Sequence, residues 1–217
     1  MKDAIMAETK ICGIRTPADL DCAHASGARW IGMVFFHKSP RHLSLDEAST
    51  IRHHAEVNAI KTERVALVVN TDDPGLEAII NAASPQMIQC HGTETPERIA
   101  AIRTRFGLPV MKAIRVESAE TLTLAQEYDD AADRMLFDSA PLDAVLPGGT
   151  GHAFDWGIMQ QWNGRKPWML AGGLNAGNVA DAITISGAAS VDVSSGVESA
   201  PGIKDHAAIR HFVTAAL

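Results

Sequence analysis

Along the chain, short apolar runs alternate with longer stretches whose apolar residues recur at helical spacing, and each short run stops at Gly, Asn, Asp or Ser. The runs read as β-strands at 10–13, 30–35, 65–70, 87–91, 110–114, 135–138, 168–171 and 190–193. Helix starts stand between them. Thr16-Pro17 opens one, Ser44 with Glu47 three residues on forms a capping box, and Thr95-Pro96 opens another. Asn175, ahead of Val179, Ala182 and Ile183, is expected to cap the seventh helix. Eight β-then-α units at about 27 residues each match the period of an α/β (β/α)₈ TIM barrel. The alternative for the same pattern is an open doubly wound sheet. After Asp138 the alternation is interrupted by a long loop over 139–153, with helical patterning expected to resume near Phe154, and connections of that length are usually functional.

A chain of 217 residues fits one domain spanning 1–217 around a single core, and 46% hydrophobic with 21% charged residues is a globular composition. The formal net charge is -7 with no run of like charges, which argues against nucleic acid and against an anionic membrane surface. No apolar run approaches the ~20 residues of a membrane span and no leader pattern opens the chain, so the expectation is a soluble, cytoplasmic protein. Cys12, Cys22 and Cys90 are an odd number at wide spacing, which disfavours a disulfide framework and a zinc cluster.

In such a barrel, function projects from the C-terminal strand ends and the loops after them. The strings there are Cys12-Gly13, the turn from His37 to Arg41, Asn70, the segment from Gln89 to Gly92, Arg115, Asp138-Ser139, Gly172-Gly173 and Ser194-Ser195-Gly196. Gly172 and Gly173 after the seventh strand, with Ser194, Ser195 and Gly196 after the eighth, bring backbone N–H groups together beside a short extra helix, a constellation for phosphate. Read singly, each is a tight turn. Cys12 ends the first strand, as a small buried hydrophobe or as a reactive thiol. Lys10, two residues earlier, is expected to point the same way, and its effect on the thiol is open. Cys22 lies inside a helix, and Cys90 faces either the barrel or the helices. Asp138 is a strand-end carboxyl that caps a turn or, desolvated beneath the long loop, stays protonated as an acid. Arg41, on a Pro-stiffened turn, suits a bidentate grip on a carboxylate or sits in solvent. His91 is a possible ligand or base without a second metal-spaced partner, so no metal is expected, and His53-His54 belong to a charged helix surface.

Together the strings carry a resemblance. The chain resembles the phosphoribosylanthranilate isomerases of tryptophan biosynthesis through Lys10-Ile-Cys-Gly13, Ser39-Pro-Arg41, Val68-Val-Asn70, Gln89-Cys-His-Gly92, Leu136-Phe-Asp138, Gly148-Gly-Thr-Gly151 with Phe154-Asp-Trp156, Leu170-Ala-Gly-Gly-Leu-Asn175, the run from Val191 to Glu198, and Pro201-Gly-Ile-Lys-Asp205. It departs at Cys90, where the family usually has Leu, and in an unassigned extension before Lys10. The resemblance implies an Amadori rearrangement of N-(5-phosphoribosyl)anthranilate, an aminoaldose, to 1-(2-carboxyphenylamino)-1-deoxyribulose 5-phosphate, an aminoketose, without cofactor or metal. It implies Asp138 as general acid, Cys12 as general base, Arg41 on the anthranilate carboxylate and the glycine and serine backbone of the last two strands on the phosphate. It also implies a monomer or homodimer whose partner is the small phosphorylated substrate. Two related phosphosugar barrels fit less well. The histidine-pathway aminoaldose isomerase carries an acidic residue where this chain has Cys12, and indoleglycerol phosphate synthase relies on a strand-end lysine pattern absent here. A non-catalytic phospho-ligand sensor would need neither Cys12 nor Asp138.

Overall fold

Eight parallel strands close on themselves in the computed structural model, which describes residues 7–139 and 155–217. They are β1 (Glu8–Cys12), β2 (Trp30–Phe35), β3 (Glu63–Val68), β4 (Met87–Cys90), β5 (Val110–Val116), β6 (Arg134–Ser139), β7 (Trp168–Leu170) and β8 (Ser190–Val193), and β1 pairs with both β2 and β8. Closure rules out the open doubly wound sheet. The first strand begins at Glu8, so two residues of the supposed extension belong to the barrel. His91 falls just beyond β4 rather than within it.

The outer layer is α1 (Pro17–Ala25), α2 (Leu45–Val57), α3 (Asp73–Ala83), α4 (Pro96–Phe106), α5 (Ala119–Ala125), α6 (Val179–Ser186) and α7 (His206–Ala216). Thr16 and Ser44 each form a full capping box, with Asp19 and Glu47, and Thr95 accepts the Arg98 N–H, as the sequence requires. The side-chain cap expected at Asn175 does not form. Asn178 takes the N-cap position of α6, and Asn175 instead accepts the Gly177 N–H in a turn leading to it. An Asx residue three positions closer to the helix satisfies the same apolar periodicity, which the pattern could not distinguish. The long loop assigned to 139–153 and the resumption at Phe154 lie outside the described residues, apart from Ser139 at the end of β6. From Trp156 the described chain forms a 3-10 helix (Trp156–Gln161) in place of a full helix between β6 and β7. After β8 a 3-10 turn (Ser195–Val197) leads into an antiparallel hairpin, β9 (Glu198–Ala200) and β10 (Ile203–Lys204).

Strand alternation sorts the side chains into two cores. Ile11, Ile31, Met33, Ala66, Val68, Ile88, Phe137, Leu170, Val191 and Val193 face the helices, whereas Trp30, Val65, Met87, Met111, Ala113, Leu136 and Met169 fill the barrel. Cys90 packs with the helix-facing set, which resolves its orientation. Burying these apolar faces on both sides of one sheet is what makes the closed barrel stable. Among the described residues no helix is long and apolar enough to cross a membrane.

Candidate active site

The site lies where the strands point their C-terminal ends. Cys12, Val34, Phe36, Ser39, Arg41, Leu67, Val69, His91, Asp138, Asp192 and Ser194 line one pocket there. Five of the residues singled out from sequence, Cys12, Arg41, His91, Asp138 and Ser194, thus converge from segments far apart in the chain.

Cys12 is 5% exposed and packs against Val34 and Leu67. Opposite it in the β1–β2 register stands Gly32, where a Cβ would lie 2.7 Å from Cys12 Sγ and 3.1 Å from Lys10 Nζ. Only a glycine leaves room for thiol and ammonium together. Lys10 points inward as expected and donates to Asp192 Oδ1 at 2.9 Å, its register partner across the β1–β8 pair. Burial opposes the Lys10 charge, but Asp192 and Cys12 outweigh it and hold the ammonium above its usual range. Burial also dominates at Cys12. It pushes the thiol up together with Asp192, against the opposing pull of Lys10, Lys204 and Arg41. The resting group is therefore a thiol, which answers the question the sequence left open: Lys10 lowers the Cys12 pKa but does not overcome desolvation.

Arg41 is not in solvent. Its side chain is 12% exposed, and Nε and Nη2 donate to Glu198 Oε1 and Oε2, both at 2.7 Å. Gly13 (φ 81°) makes way for its stem, since a Cβ there would come 2.7 Å from Arg41 Cδ. Glu198 also accepts from Lys204 Nζ at 2.8 Å, and Lys204 donates to the Ser194 carbonyl at 2.9 Å. Burial would raise the Glu198 pKa, yet the bonds from Arg41 and Lys204 draw it below the usual carboxylate range. Burial lowers the Lys204 pKa despite Glu198. Sequence reasoning quoted Glu198 and Lys204 within a motif but assigned them no role. The signal available was an acid and a base in a short segment after the last barrel strand.

Asp138 is 4% exposed at the end of β6, opposite Arg115 in the β5–β6 register. His91 Nε2 stands 3.5 Å from Asp138 Oδ2, and its Nδ1 is 3.2 Å from Gln89 Nε2. His91 thus faces a carboxylate. Among the described residues no three His, Cys, Asp or Glu side chains gather as a metal set. His53 is exposed, and His54 is half-buried and bonded to Asp21.

At the ends of β7 and β8, Gly172 (φ 89°) and Gly173 (φ 64°) turn the chain, and a Cβ at Gly196 would overlap the Leu174 carbonyl oxygen. The two loops meet there, Gly196 lying against Leu174 and Asn175. The Ser194 hydroxyl is engaged elsewhere, donating to the Cys12 carbonyl at 3.2 Å and tying β8 to β1.

Comparison with known proteins agrees with this geometry. The family model of N-(5'-phosphoribosyl)anthranilate (PRA) isomerase matches residues 9–215. An N-(5'-phosphoribosyl)anthranilate isomerase from Beijerinckia indica is 53% identical over 208 residues, covering 95% of this chain and 92% of the relative. Among solved structures, phosphoribosyl anthranilate isomerase from Thermotoga maritima superposes with a TM-score of 0.84 at 32% identity, covering 97% of this chain and 98% of its own. A phosphoribosyl anthranilate isomerase in complex with reduced 1-(o-carboxyphenylamino)-1-deoxyribulose 5-phosphate gives 0.81 at 31% identity, with the same coverage. The chain belongs to the N-(5'-phosphoribosyl)anthranilate isomerase family, a (β/α)₈ isomerase of tryptophan biosynthesis.

Proposed function

We propose that this protein isomerises N-(5-phosphoribosyl)anthranilate by acid–base catalysis, with Asp138 as acid and Cys12 as base. The observation that carries the assignment is the convergence of Cys12, Asp138 and Arg41 on one pocket at the C-terminal mouth. A ligand with a carboxylate at one end and a phosphate at the other is gripped at both ends, leaving its sugar across the mouth. Arg41 spends Nε and Nη2 on Glu198, so its Nη1 donors are those that meet the anthranilate carboxylate. The phosphate goes to the backbone of Gly172, Gly173, Ser194, Ser195 and Gly196. The relative solved with the reduced product analogue supports a ligand of this shape.

In the first step Asp138 gives its proton to the furanose ring oxygen. The C1′–O bond breaks and the nitrogen lone pair forms a protonated Schiff base. The Cys12 thiolate then takes the C2′ proton, the C–H pair becomes the C1′–C2′ double bond, and the C–N pair returns to nitrogen as an enolamine. Ketonisation moves one proton from the C2′ hydroxyl to Asp138 and one from Cys12 to C1′, restoring both groups. Reaction occurs on the thiolate, while burial favours the thiol, so kcat/KM should climb with pH toward the raised Cys12 pKa.

The test follows the loss of anthranilate-adduct fluorescence with freshly made phosphoribosylanthranilate. Cys12→Ala and Asp138→Asn should each lower kcat by ~10²–10⁴ with the fold intact. Near-wild-type turnover by Asp138→Asn, or a loss below about tenfold in Cys12→Ala, refutes the roles.

A further inference from the structure

A barrel interior is ordinarily filled with apolar side chains, and most of this one is: Val65, Met87, Met111, Leu136 and Met169 supply the neighbouring strands. At the β1–β8 seam the chain instead buries a lysine, 0% exposed, against an aspartate at 9%. A buried ion pair of this kind is often no more stabilising than apolar residues of the same volume, so stability alone does not account for it. Its position does. Lys10 and Cys12 are two residues apart on β1 and point to the same side, and both converge on the space left by Gly32. Asp192 turns to the same pocket from β8.

We propose that Lys10 is a positioning residue for the base: its ammonium, fixed by Asp192 and seated over Gly32, is the counter-charge against which the Cys12 thiolate forms. This rests on the reading of Cys12 as the base. The charges around the sulfur support it. Lys10 from β1, Arg41 from the loop after β2 and Lys204 from β10 face Cys12 with Asp192 from β8, and Glu198 from β9 binds two of those cations. Among the groups that bear on the sulfur, three cations stand against two carboxylates, so a thiolate forms there against a net positive charge. Asp138 from β6 and His91 from the loop after β4 face the same pocket and stand 3.5 Å apart. Asp192 and Cys12 together hold Lys10 charged against burial, and Lys10 makes ionisation of Cys12 attainable without leaving the thiol ionised at rest. When the thiol ionises, its proton leaves to solvent through the open pocket before substrate seats. The sulfur keeps the electron pair that later takes the C2′ proton.

The two partners must then act on Cys12 with opposite sign, which no merely structural role would produce. Lys10→Met removes a cation and should raise the Cys12 titration midpoint in the substrate-free protein, by about one pH unit or more. Asp192→Asn leaves Lys10 unneutralised and should lower it. The midpoint is read from thiolate ultraviolet absorbance as the difference between each protein and its Cys12→Ala counterpart, which removes Cys22 and Cys90. The ascending limb of kcat/KM against pH should move with each midpoint. Shifts of the same sign, or no shift in either variant, overturn the proposal. If Lys10→Met does not fold, the downward shift in Asp192→Asn decides alone, and its absence is equally fatal. Undiminished turnover by Cys12→Ala would instead remove the base itself, whatever the titrations give.

Discussion

A single methyl group added at Gly32 tests whether the β1–β2 register sets the position of the sulfur. The added Cβ would stand 2.7 Å from Cys12 Sγ, 3.1 Å from Cys12 Cα and 3.1 Å from Lys10 Nζ. Non-bonded heavy atoms rest at about 3.5–4.0 Å, so the sulfur must retreat by about 1 Å. It can retreat only into the pocket, off the seat it holds against Val34 and Leu67, and so away from its present position. A displacement of that size at a reacting atom costs about 10²-fold in rate. Overpacking a filled core costs about 1–3 kcal/mol, which in a chain of this length is a fall in Tm of roughly 2–12 °C. Gly32→Ala should therefore lower kcat about a hundredfold while KM stays within about threefold, since the carboxylate and phosphate grips lie elsewhere. Steady-state fluorescence kinetics beside a thermal melt measure both. A kcat within about threefold of wild type in a protein with an unchanged melt would mean that the sulfur does not depend on this glycine, and the account of the base's geometry would be wrong.

Two carboxylates outside the chemistry carry further expectations. Glu198→Gln keeps an oxygen for Arg41 but leaves Arg41 and Lys204 side by side without their shared charge. Charge-assisted bonds of this kind are worth about 1.5–3 kcal/mol, so KM should rise about tenfold or more with kcat less affected; an unchanged or lower KM would mean that Glu198 competes for the guanidinium instead of aiming it. Glu94 accepts the Asn70 and Gly92 N–H groups and Lys112 Nζ at 2.8 Å, an ion pair only 3% and 4% exposed that clamps the loops after β3 and β4. Burial would raise its pKa, but Lys112 and the backbone donors carry it below the usual value, so its stabilisation is present above about pH 4.3 and is lost as pH falls through the lower folded value. Glu94→Gln should cost about 3–5 kcal/mol at pH 7, by stranding the Lys112 ammonium, and should flatten the acid limb of urea midpoint against pH; a variant as stable and as acid-sensitive as wild type would exclude the clamp.

How much of this was legible in the sequence follows from the range of each interaction. The strands were, because a strand buried on both faces reads as a near-continuous apolar run whatever it pairs with, and Val65, Ala66, Leu67 and Val68 are such a run. The caps at Thr16, Ser44 and Thr95 were, because each is closed within four residues. The cap of α6 was not legible, because the pattern does not separate Asn175 from Asn178 and the path of the loop after β7 turns both side chains to loop backbone. In the site, Cys12, Arg41 and Asp138 were visible as odd residue types at strand ends. The carboxylates that hold Arg41 and Lys10 were not, since Glu198 lies 157 positions from Arg41 and Asp192 lies 182 from Lys10. No spacing rule reaches that far. It takes the closure of β8 onto β1 to bring Asp192 to Lys10.

With Asp138 as the proposed acid and Cys12 as the proposed base, the same closure keeps the two from disarming each other. A carboxyl and a thiolate in contact would exchange a proton in the wrong direction, because the carboxyl is the stronger acid by about four to five pK units in water, and both would end in the state that cannot react. The barrel assigns them different company. The charges that bear on Cys12 come from Lys10, Asp192, Lys204 and Arg41, all from the β1, β2 and β8 side of the mouth. Asp138 stands with His91, on the ends of β6 and β4. On its other flank Cys12 meets Val34 and Leu67, with Phe36 and Val69 beyond, a surface that can neither relay nor solvate a proton. In the proposed reaction, with substrate filling the pocket that both residues line, the proton that leaves Asp138 goes to the ring oxygen and the one that reaches Cys12 comes from C2′. That is the order an acid-opened ring followed by base abstraction requires.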